Sequence, residues 1–307
     1  MTAARNRLPA QIAGVLAAGL LLAVLLFRFA VYEPQRAAAP AIPAQQRPGP
    51  VQAVVVSVEG EVQRGGADGA WSEVRVGQTV QADELLRTGA NARTKLAVDP
   101  RSRMTIEESS EVSIRELTDM VHRFRLTRGR MTAEYEREGE RTLRVEDGAG
   151  EALAESKAAR FSVLSTGTGI AVASLAGTVE VSARQRTVHI GPGQQAFVPR
   201  GAAPLMPVPI PTAVLLKVAN ALSGASSGLC AEIDGAAQPG AEIRVDGVPV
   251  QAGPDGRFRH EVSRARGLRG VTVSTRDAAG HTRNRTVPCS PAPAAIDDMA
   301  IRWREAP

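Results

Sequence analysis

Residues 52–62 read Gln-Ala-Val-Val-Val-Ser-Val-Glu-Gly-Glu-Val, and valine recurs there at period two. Val54, Val56, Val58 and Val62 fall on one face of an extended chain, while a serine and two glutamates fall on the other. Such alternation is typical of a β-strand that buries one face. The stretch therefore predicts a strand whose apolar face carries these four valines.

The same alternation continues along the next 130 residues. It recurs at Thr94–Val98, Met104–Ile106, Val112–Ile114, Phe124–Leu126, Leu143–Val145, Ile170–Val172, Val179–Val181 and Val188–Ile190. Turn-forming residues such as Gly65-Gly66, Asp147-Gly148 and Gly191-Pro192-Gly193 separate the runs. The spacing predicts an all-β domain over 52–198, built as a sandwich, a roll or a β-helix-like stack.

Composition sets the remaining limits. The 307 residues suffice for two domains, and the 43% hydrophobic content with only 3% aromatics predicts cores of Val, Leu, Ile and Ala. The net charge is +5, but the first 50 residues alone carry +4 and residues 51–200 carry −1. A nucleic-acid partner is not expected, because such a partner needs several cations on one face.

The N-terminal segment is typical of a membrane anchor. Arg5 and Arg7 precede the uncharged run from Ile12 to Phe27, and a helix over 12–32 would measure roughly 31 Å, enough to cross a bilayer. The preceding arginines place residues 1–11 in the cytoplasm. We expect a single-pass inner-membrane protein with its bulk in the periplasm. The alternative is a secreted protein whose signal peptide is cleaved near Ala37-Ala38-Ala39.

Prolines mark the domain boundaries. They cluster in residues 33–51 and 199–212, which are predicted to be stiff, extended linkers. These linkers separate the first β domain from a second body at 213–289, which a tail at 290–307 follows.

The first β domain contains a set of recognisable motifs, namely Val58-x-Gly60-x-Val62, Trp71, Val76-Gly77, Asp83-x-Leu85-Leu86-Arg87-Thr88-Gly89 and Leu175-x-Gly177-x-Val179-x-Val181. With these motifs, residues 52–198 resemble the FecR domain family. We expect the glycines at tight turns, Trp71 as a buried anchor under a sheet, and Arg87-Thr88-Gly89 where a strand runs into a turn. The resemblance implies an extracytoplasmic sensory or envelope domain with a β-roll or β-helix-like fold.

The best-known FecR proteins relay iron-siderophore signals to a cytoplasmic sigma factor. That mechanism needs a folded cytoplasmic domain, and the eleven residues before the anchor are too few to fold alone. Regulation in the usual manner of the family is therefore not expected.

The second body contains a hairpin and two further motifs. Asp246-Gly247 between two apolar strands favours a type I′ hairpin. The motifs that follow are Asp255-Gly256-Arg257-Phe258 and the turn Asp277-Ala278-Ala279-Gly280-His281. In this order they resemble bacterial immunoglobulin-like domains, which implies a β-sandwich.

Cys230 and Cys289 lie at the edges of this second body. In an oxidising periplasm they would close a loop of about 60 residues, worth roughly 4 kcal/mol. Two free buried thiols are the alternative, and metal binding is less favoured because no histidine has ligand spacing to them.

We expect no catalytic site, no cofactor site and no metal site. The four histidines fall in no triad or metal motif, and Ser165–Gly169 is predicted to be a plain turn between strands. Two arginine clusters are candidate contacts for anionic envelope polymers, with solvated strand faces as the plain alternative. The first comprises Arg123, Arg125, Arg128 and Arg130, and the second comprises Arg257, Arg259, Arg264, Arg266 and Arg269.

Three functions follow from these observations. The first is an anchored, non-enzymatic envelope protein that binds or scaffolds another envelope protein or an anionic cell-wall polymer. The second is a transmembrane signalling regulator of the FecR type without the usual cytoplasmic domain. The third, an enzyme, would require a cleft with perturbed carboxylates or histidines.

Overall fold

The structure is a computed structural model that describes residues 52–65, 69–136, 140–220, 232–262 and 270–288. These residues form an all-β protein without a helix, which confirms the predicted all-β class. Accordingly, no helix within the described ranges has the length and apolarity that a membrane span requires. The predicted anchor at 12–32, its flanks 1–11 and 33–51, and the tail 290–307 lie outside them.

The large body contains seventeen strands. They are β1 (Ala53–Glu59), β2 (Val62–Gly65), β3 (Trp71–Glu73), β4 (Thr79–Val80), β5 (Leu85–Thr88), β6 (Arg93–Ala97), β7 (Arg103–Ile106), β8 (Glu111–Leu117), β9 (Val121–Tyr135), β10 (Thr142–Asp147), β11 (Ala152–Ser156), β12 (Ala159–Ser165), β13 (Gly169–Gly177), β14 (Val179–Ala183), β15 (Arg186–Ile190), β16 (Gln194–Pro199) and β17 (Val208–Pro209).

These strands form two layers that share β9. Layer 1 has the order β4-β1-β6-β7-β9-β12-β13-β16-β17. Layer 2 has the order β3-β2-β5-β8-β9-β10-β11-β14-β15. The pairs are antiparallel except for β9 with β10, which is parallel. One core lies between the layers, with Phe124, Phe161, Leu86 and Leu96 fully buried in it.

β9 passes from layer 2 to layer 1 at Gly129. Its first half pairs with β8 and β10, and its second half pairs with β7 and β12. Gly129 has φ of +84°, and a Cβ there would lie 2.5 Å from the Cα of Ser110. Only glycine fits this bend, because both the conformation and the close approach exclude a side chain. The bend places Arg130 on the outer face of layer 1.

The predicted face of β1 is wrong at its start. Ala53 and Val55 are buried, whereas Val54 and Val56 are exposed. The register with β6 shifts between Val55 and Ser57, where a β-bulge lies, and Val58 beyond it packs against the core. In a run of consecutive valines, either the even-numbered or the odd-numbered residues can form the buried face. A β-bulge then exchanges the two faces partway along the strand.

The small body contains seven strands in two sheets. They are β18 (Leu216–Asn220), β19 (Glu232–Ala237), β20 (Glu242–Val245), β21 (Val248–Val250), β22 (Arg257–Glu261), β23 (Gly270–Arg276) and β24 (Thr282–Pro288). One sheet has the order β18-β19-β22 and the other β21-β20-β23-β24. Leu216, Ile233 and Phe258 of the first sheet pack against Ile243 and Val273 of the second, so the body is a β-sandwich.

The predicted type I′ hairpin is confirmed. Asp246 and Gly247 have φ of +48° and +82°, and Val245 pairs directly with Val248. Both central residues of a type I′ turn require positive φ.

The proline-rich segment between the bodies follows the edge of layer 1. We call residues 203–211 the Pro-rich strip. Its β17 pairs with β16, the amide of Leu205 donates to the carbonyl of Phe197 (2.9 Å), and the amide of Ile210 donates to the carbonyl of Gly193 (2.8 Å). The strip is therefore attached to the large body along its length.

Candidate functional site

The candidate site is the joint where the small body meets the outer face of layer 1. It is built around residues 277–281, here called the docking loop, which link β23 to β24. The amide of Asp277 donates to the carbonyl of His281 (3.0 Å), and the carboxylate of Asp277 accepts from the amide of His281 (2.8 Å). Gly280 has φ of +96°. These bonds hold the loop closed, and its Ala278 and Ala279 carbonyls reach the large body.

Arg130 of the large body binds the docking loop. Its Nε donates to the carbonyl of Ala278 (3.1 Å), and its Nη2 donates to the carbonyl of Ala279 (3.4 Å). Its Nη1 lies 3.4 Å from Oε1 of Glu107, and the buried Ser162 hydroxyl also donates to the Ala278 carbonyl. Desolvation lowers the pKa of Arg130, and Glu107 opposes that shift. A largely buried guanidinium needs such partners, so this contact is specific in geometry.

A second charged contact crosses the joint beside the loop. Arg276, at the end of β23, forms an ion pair with Glu108 of the large body. The hydrogen bond from Arg276 holds the pKa of Glu108 below its usual value, with desolvation opposing it. The carboxylate therefore stays ionised under ordinary conditions.

Apolar side chains complete the joint. Leu164, Ala171, Ala173 and Phe197 of layer 1 form a buried cluster with Ala278 of the docking loop. Close packing extends to Gly240, where a Cβ would lie 2.6 Å from the Phe197 ring.

Two cavities flank the joint. A polar cavity of about 310 Å³ is lined by Glu108, Glu242, Arg244, Ser274, Arg276 and Asn284, among others. An apolar cavity of about 140 Å³ lies between Phe197, Ala278 and the Leu205, Met206 and Val208 side chains of the Pro-rich strip. The site thus combines a hydrogen-bonded and ion-paired contact with two adjoining cavities.

The Arg123 and Arg125 candidates lie on the outer face of layer 2, away from the joint. Both contact Glu146, at 3.6 Å and 2.9 Å, and Arg123 also lies 3.8 Å from Glu116. Their charge is therefore balanced by neighbouring strands.

The Arg257 and Arg259 candidates lie on β22 of the small body. Arg259 contacts Glu232 and Asp234, each at 2.8 Å, while the highly exposed Arg257 contacts Asp255 at 3.4 Å. The other members of this cluster, Arg264, Arg266 and Arg269, lie outside the described residues, as do Cys230 and Cys289.

Trp71 is not the buried anchor that was expected. It is 39% exposed on the edge strand β3, and its ring lies 4.2 Å from the guanidinium carbon of Arg87. The ring lies across Gly65, which leaves room for it, so the tryptophan is held by a cation–π contact on the surface.

The other residues of the FecR-like motifs shape the backbone of the large body. Gly60, Gly77 and Gly177 have φ of +70°, +86° and +76°. Leu85 is half-buried, and the Thr88 hydroxyl donates to the carbonyl of Glu107 (2.6 Å) where β5 ends before Gly89. Thr88 thereby orders the segment that carries Glu107 and Glu108 into the joint.

The sequence did not indicate Glu108, Ser162 or Arg276 as site residues, and it placed Arg130 in an arginine cluster without indicating its contact with the docking loop. Arg130 follows a glycine inside an arginine-rich strand, which was the only local signal. Its docking-loop partners lie 148 and 149 residues away along the chain.

The described residues hold no group of three or more His, Cys, Asp or Glu side chains able to bind a metal ion. Of the histidines, His189 is exposed on β15.

Part of the large body is similar to a known family. Residues 84–180, from the start of β5 into β14, match the family model described as FecR protein.

Two crystal structures of a candidate anti-sigma factor from Parabacteroides distasonis ATCC 8503 are also similar to this chain. Each alignment covers 41% of this chain and 59% of that chain, with 15% identity and a TM-score of 0.36. No curated protein sequence matches the chain.

Proposed function

We propose that this protein is a membrane-anchored, non-enzymatic envelope protein of the periplasm. In it, the FecR-containing large body and an immunoglobulin-like small body act as one extracytoplasmic binding unit. The observation that carries the proposal is the joint at Arg130, because a largely buried guanidinium there bonds two carbonyls of the other body. A rigid unit holds its binding surfaces in register, which suits a scaffold or a sensor.

The proposed location rests on the N-terminal sequence. Two arginines precede a long uncharged run, and a proline-rich stretch separates that run from the first strand. Alkaline phosphatase fused after residue 307 should be active in cells if the bodies lie in the periplasm. Activity of a green fluorescent protein fusion instead would contradict the proposed topology.

Anionic polymers are the proposed ligands of the small body. The support is the cluster of Arg257, Arg259, Arg264, Arg266 and Arg269. Of its two described members, Arg257 is the more exposed. Replacing these arginines with alanine should weaken retention on purified cell wall, and the effect should fall with added salt. Replacing Arg123 and Arg125, the candidates on the large body, shows whether the loss of retention is specific to the small body.

A FecR-type signalling regulator is the second proposal, favoured by the family match over residues 84–180. It requires a cytoplasmic partner that contacts residues 1–11 or the anchor. Photo-crosslinking from positions 5 and 7 in living cells tests this requirement. A sigma factor among the crosslinked products would support the regulator, while products limited to membrane components would support the scaffold.

The rigid unit itself is tested by the Arg130→Met variant of the full chain. Arg200 and Lys217 are exposed trypsin sites on either side of the Pro-rich strip. If the joint fixes the bodies, cleavage there should be faster in Arg130→Met than in the wild type, while Arg186→Met on the far edge strand β15 should leave the rate unchanged. Equal rates in all three proteins would refute the rigid unit.

A further inference from the structure

The Pro-rich strip carries a concentration of exposed apolar side chains. Leu205, Met206 and Val208 are 45%, 74% and 51% exposed, and Leu215 just beyond the strip is 44% exposed. Among the described residues, ten large hydrophobic side chains are exposed, and these four fall within eleven positions. Single exposed apolar residues are ordinary, but a contiguous group indicates an interaction surface.

The strip also lacks the charges that normally surround exposed apolar groups. Residues 201–216 contain no Asp, Glu, Lys, Arg or His, although 22% of the whole chain is charged. A partner that covers the strip would therefore bury no unpaired charge there. The absence of cations also makes the strip unsuited to anionic polymers or lipid headgroups.

The backbone of the strip is fixed before any partner arrives. Pro204, Pro207, Pro209 and Pro211 each hold φ near −65°, and the residue before each proline is restricted to extended conformations. Hydrogen bonds to β16 hold the inner side, and Ile210 packs against the apolar cluster of the joint. Little conformational entropy remains to be lost on binding, and such preorganisation favours affinity.

The same prolines determine how a partner would bind. They lack amide hydrogens, so the strip is a poor template for an added β-strand. Recognition must use side chains and the rigid extended shape, as aromatic-lined grooves do with proline-rich segments. The apolar cavity of about 140 Å³ opens beside Met206 and Val208, and a cavity of about 150 Å³ in another protein accepts a benzene-sized group.

We infer that the Pro-rich strip is the docking surface for a different protein, one with an aromatic-lined groove that inserts an apolar side chain into this cavity. The described residues of a second copy of this chain offer no aromatic-lined groove. Every described Phe and Tyr is buried, which leaves Trp71 as the exposed aromatic ring among the described residues. The inference deepens the proposed function, because it names the surface by which the binding unit meets a protein partner.

The test begins with a photo-crosslinking amino acid at position 206 of the full-length protein in intact cells. The same group at position 248, another exposed apolar site and one on the small body, is the control. A protein adduct at 206 that is missing at 248 is expected. Adducts only to lipid, only to a second copy, or equally at both positions would overturn the inference.

Binding of the purified partner to the detergent-purified full chain then decides specificity. The double variant Met206→Asp, Val208→Asp should weaken affinity at least about tenfold. The matched control Val76→Asp, Val248→Asp also places two charges on exposed apolar sites, and it should bind like the wild type. Equal weakening in both variants, or no weakening in the first, would refute the docking surface.

Failure of this inference and failure of the proposed function are distinguishable. The alkaline phosphatase fusion reports the topology without reference to the strip, whereas the crosslink at 206 reports the strip in any compartment. A cytoplasmic topology with a strip-specific partner would reject the proposed periplasmic function and keep the docking surface.

Discussion

His122 should make the large body less stable as the pH falls below neutral. The imidazole is fully buried on β9, where its Nδ1 lies 3.4 Å from the Tyr135 hydroxyl and its Nε2 has no hydrogen-bond partner among the described residues. Desolvation, with a smaller contribution from Arg141, lowers the pKa of His122 from 6.5 to about 4. Between about pH 4 and pH 6.5, His122 is therefore mostly neutral in the folded protein and mostly protonated in the unfolded chain.

The sign and the size follow from linkage. Since the folded pKa is below the unfolded one, the stabilising effect of the neutral imidazole is complete above pH 6.5 and is lost as the pH falls toward 4. One pKa unit corresponds to about 1.36 kcal/mol, so the loss from this group is about 2 kcal/mol at pH 5 and about 3 kcal/mol at pH 4.

Urea unfolding at pH 7.5 and pH 5 measures this loss. Trp71 fluorescence reports on the large body in a Trp303→Phe background, because these are the two tryptophans of the chain. The carboxylates titrate in every variant, so the informative quantity is the difference between His122 and His122→Phe. The wild type should lose about 2 kcal/mol more than the variant between the two pH values. An identical pH dependence in both proteins would show that the imidazole is not held neutral.

Three further predictions concern the joint. Arg130→Met should lower the free energy of unfolding by about 2–4 kcal/mol and split one calorimetric transition into two, because it removes the charged donor to the docking loop; a single unshifted transition would contradict this. Glu108→Gln should lower the free energy of unfolding by only about 1 kcal/mol at pH 7, since the ion pair is partly exposed. This difference should shrink below the unfolded pKa of 4.5, as the wild-type carboxylate is protonated. Urea titrations at pH 7 and pH 3.5 measure it. Gly240→Ala should destabilise more than Gly247→Ala, because both have positive φ but only the former places a Cβ against Phe197; equal shifts in Tm would show that the ring moves aside.

Much of the fold was predictable because it depends on local chemistry. Alternating apolar residues located the strands, and Asp246-Gly247 located a turn whose positive φ values the structure confirms. The face of β1 was not predictable, since Val54 and Val55 are equally apolar and a bulge decides between them. Trp71 was misplaced for a related reason, because its environment depends on Gly65 and Arg87 on two neighbouring strands.

The joint was beyond sequence reasoning for a different reason. The docking loop was identified as a turn, but a turn motif contains no information about the surface on which it lies. Arg130 and Ser162 reach the loop from strands 148 and 116 residues away. Such long-range pairs depend on the three-dimensional arrangement of the two bodies.

The abundance of arginine takes a different meaning once the strands are paired. In the large body many guanidiniums lie opposite a carboxylate on an adjacent strand, as in Arg87–Glu111, Arg125–Glu146 and Arg144–Glu155, at 2.9, 2.9 and 2.6 Å. These half-exposed cross-strand pairs add little stability individually, but they reduce the free charge that a ligand would meet. The surface that stands out is instead the uncharged Pro-rich strip beside the joint. We therefore expect charge reversal at Arg125 to alter salt-dependent stability, and substitutions at Met206 to alter partner binding.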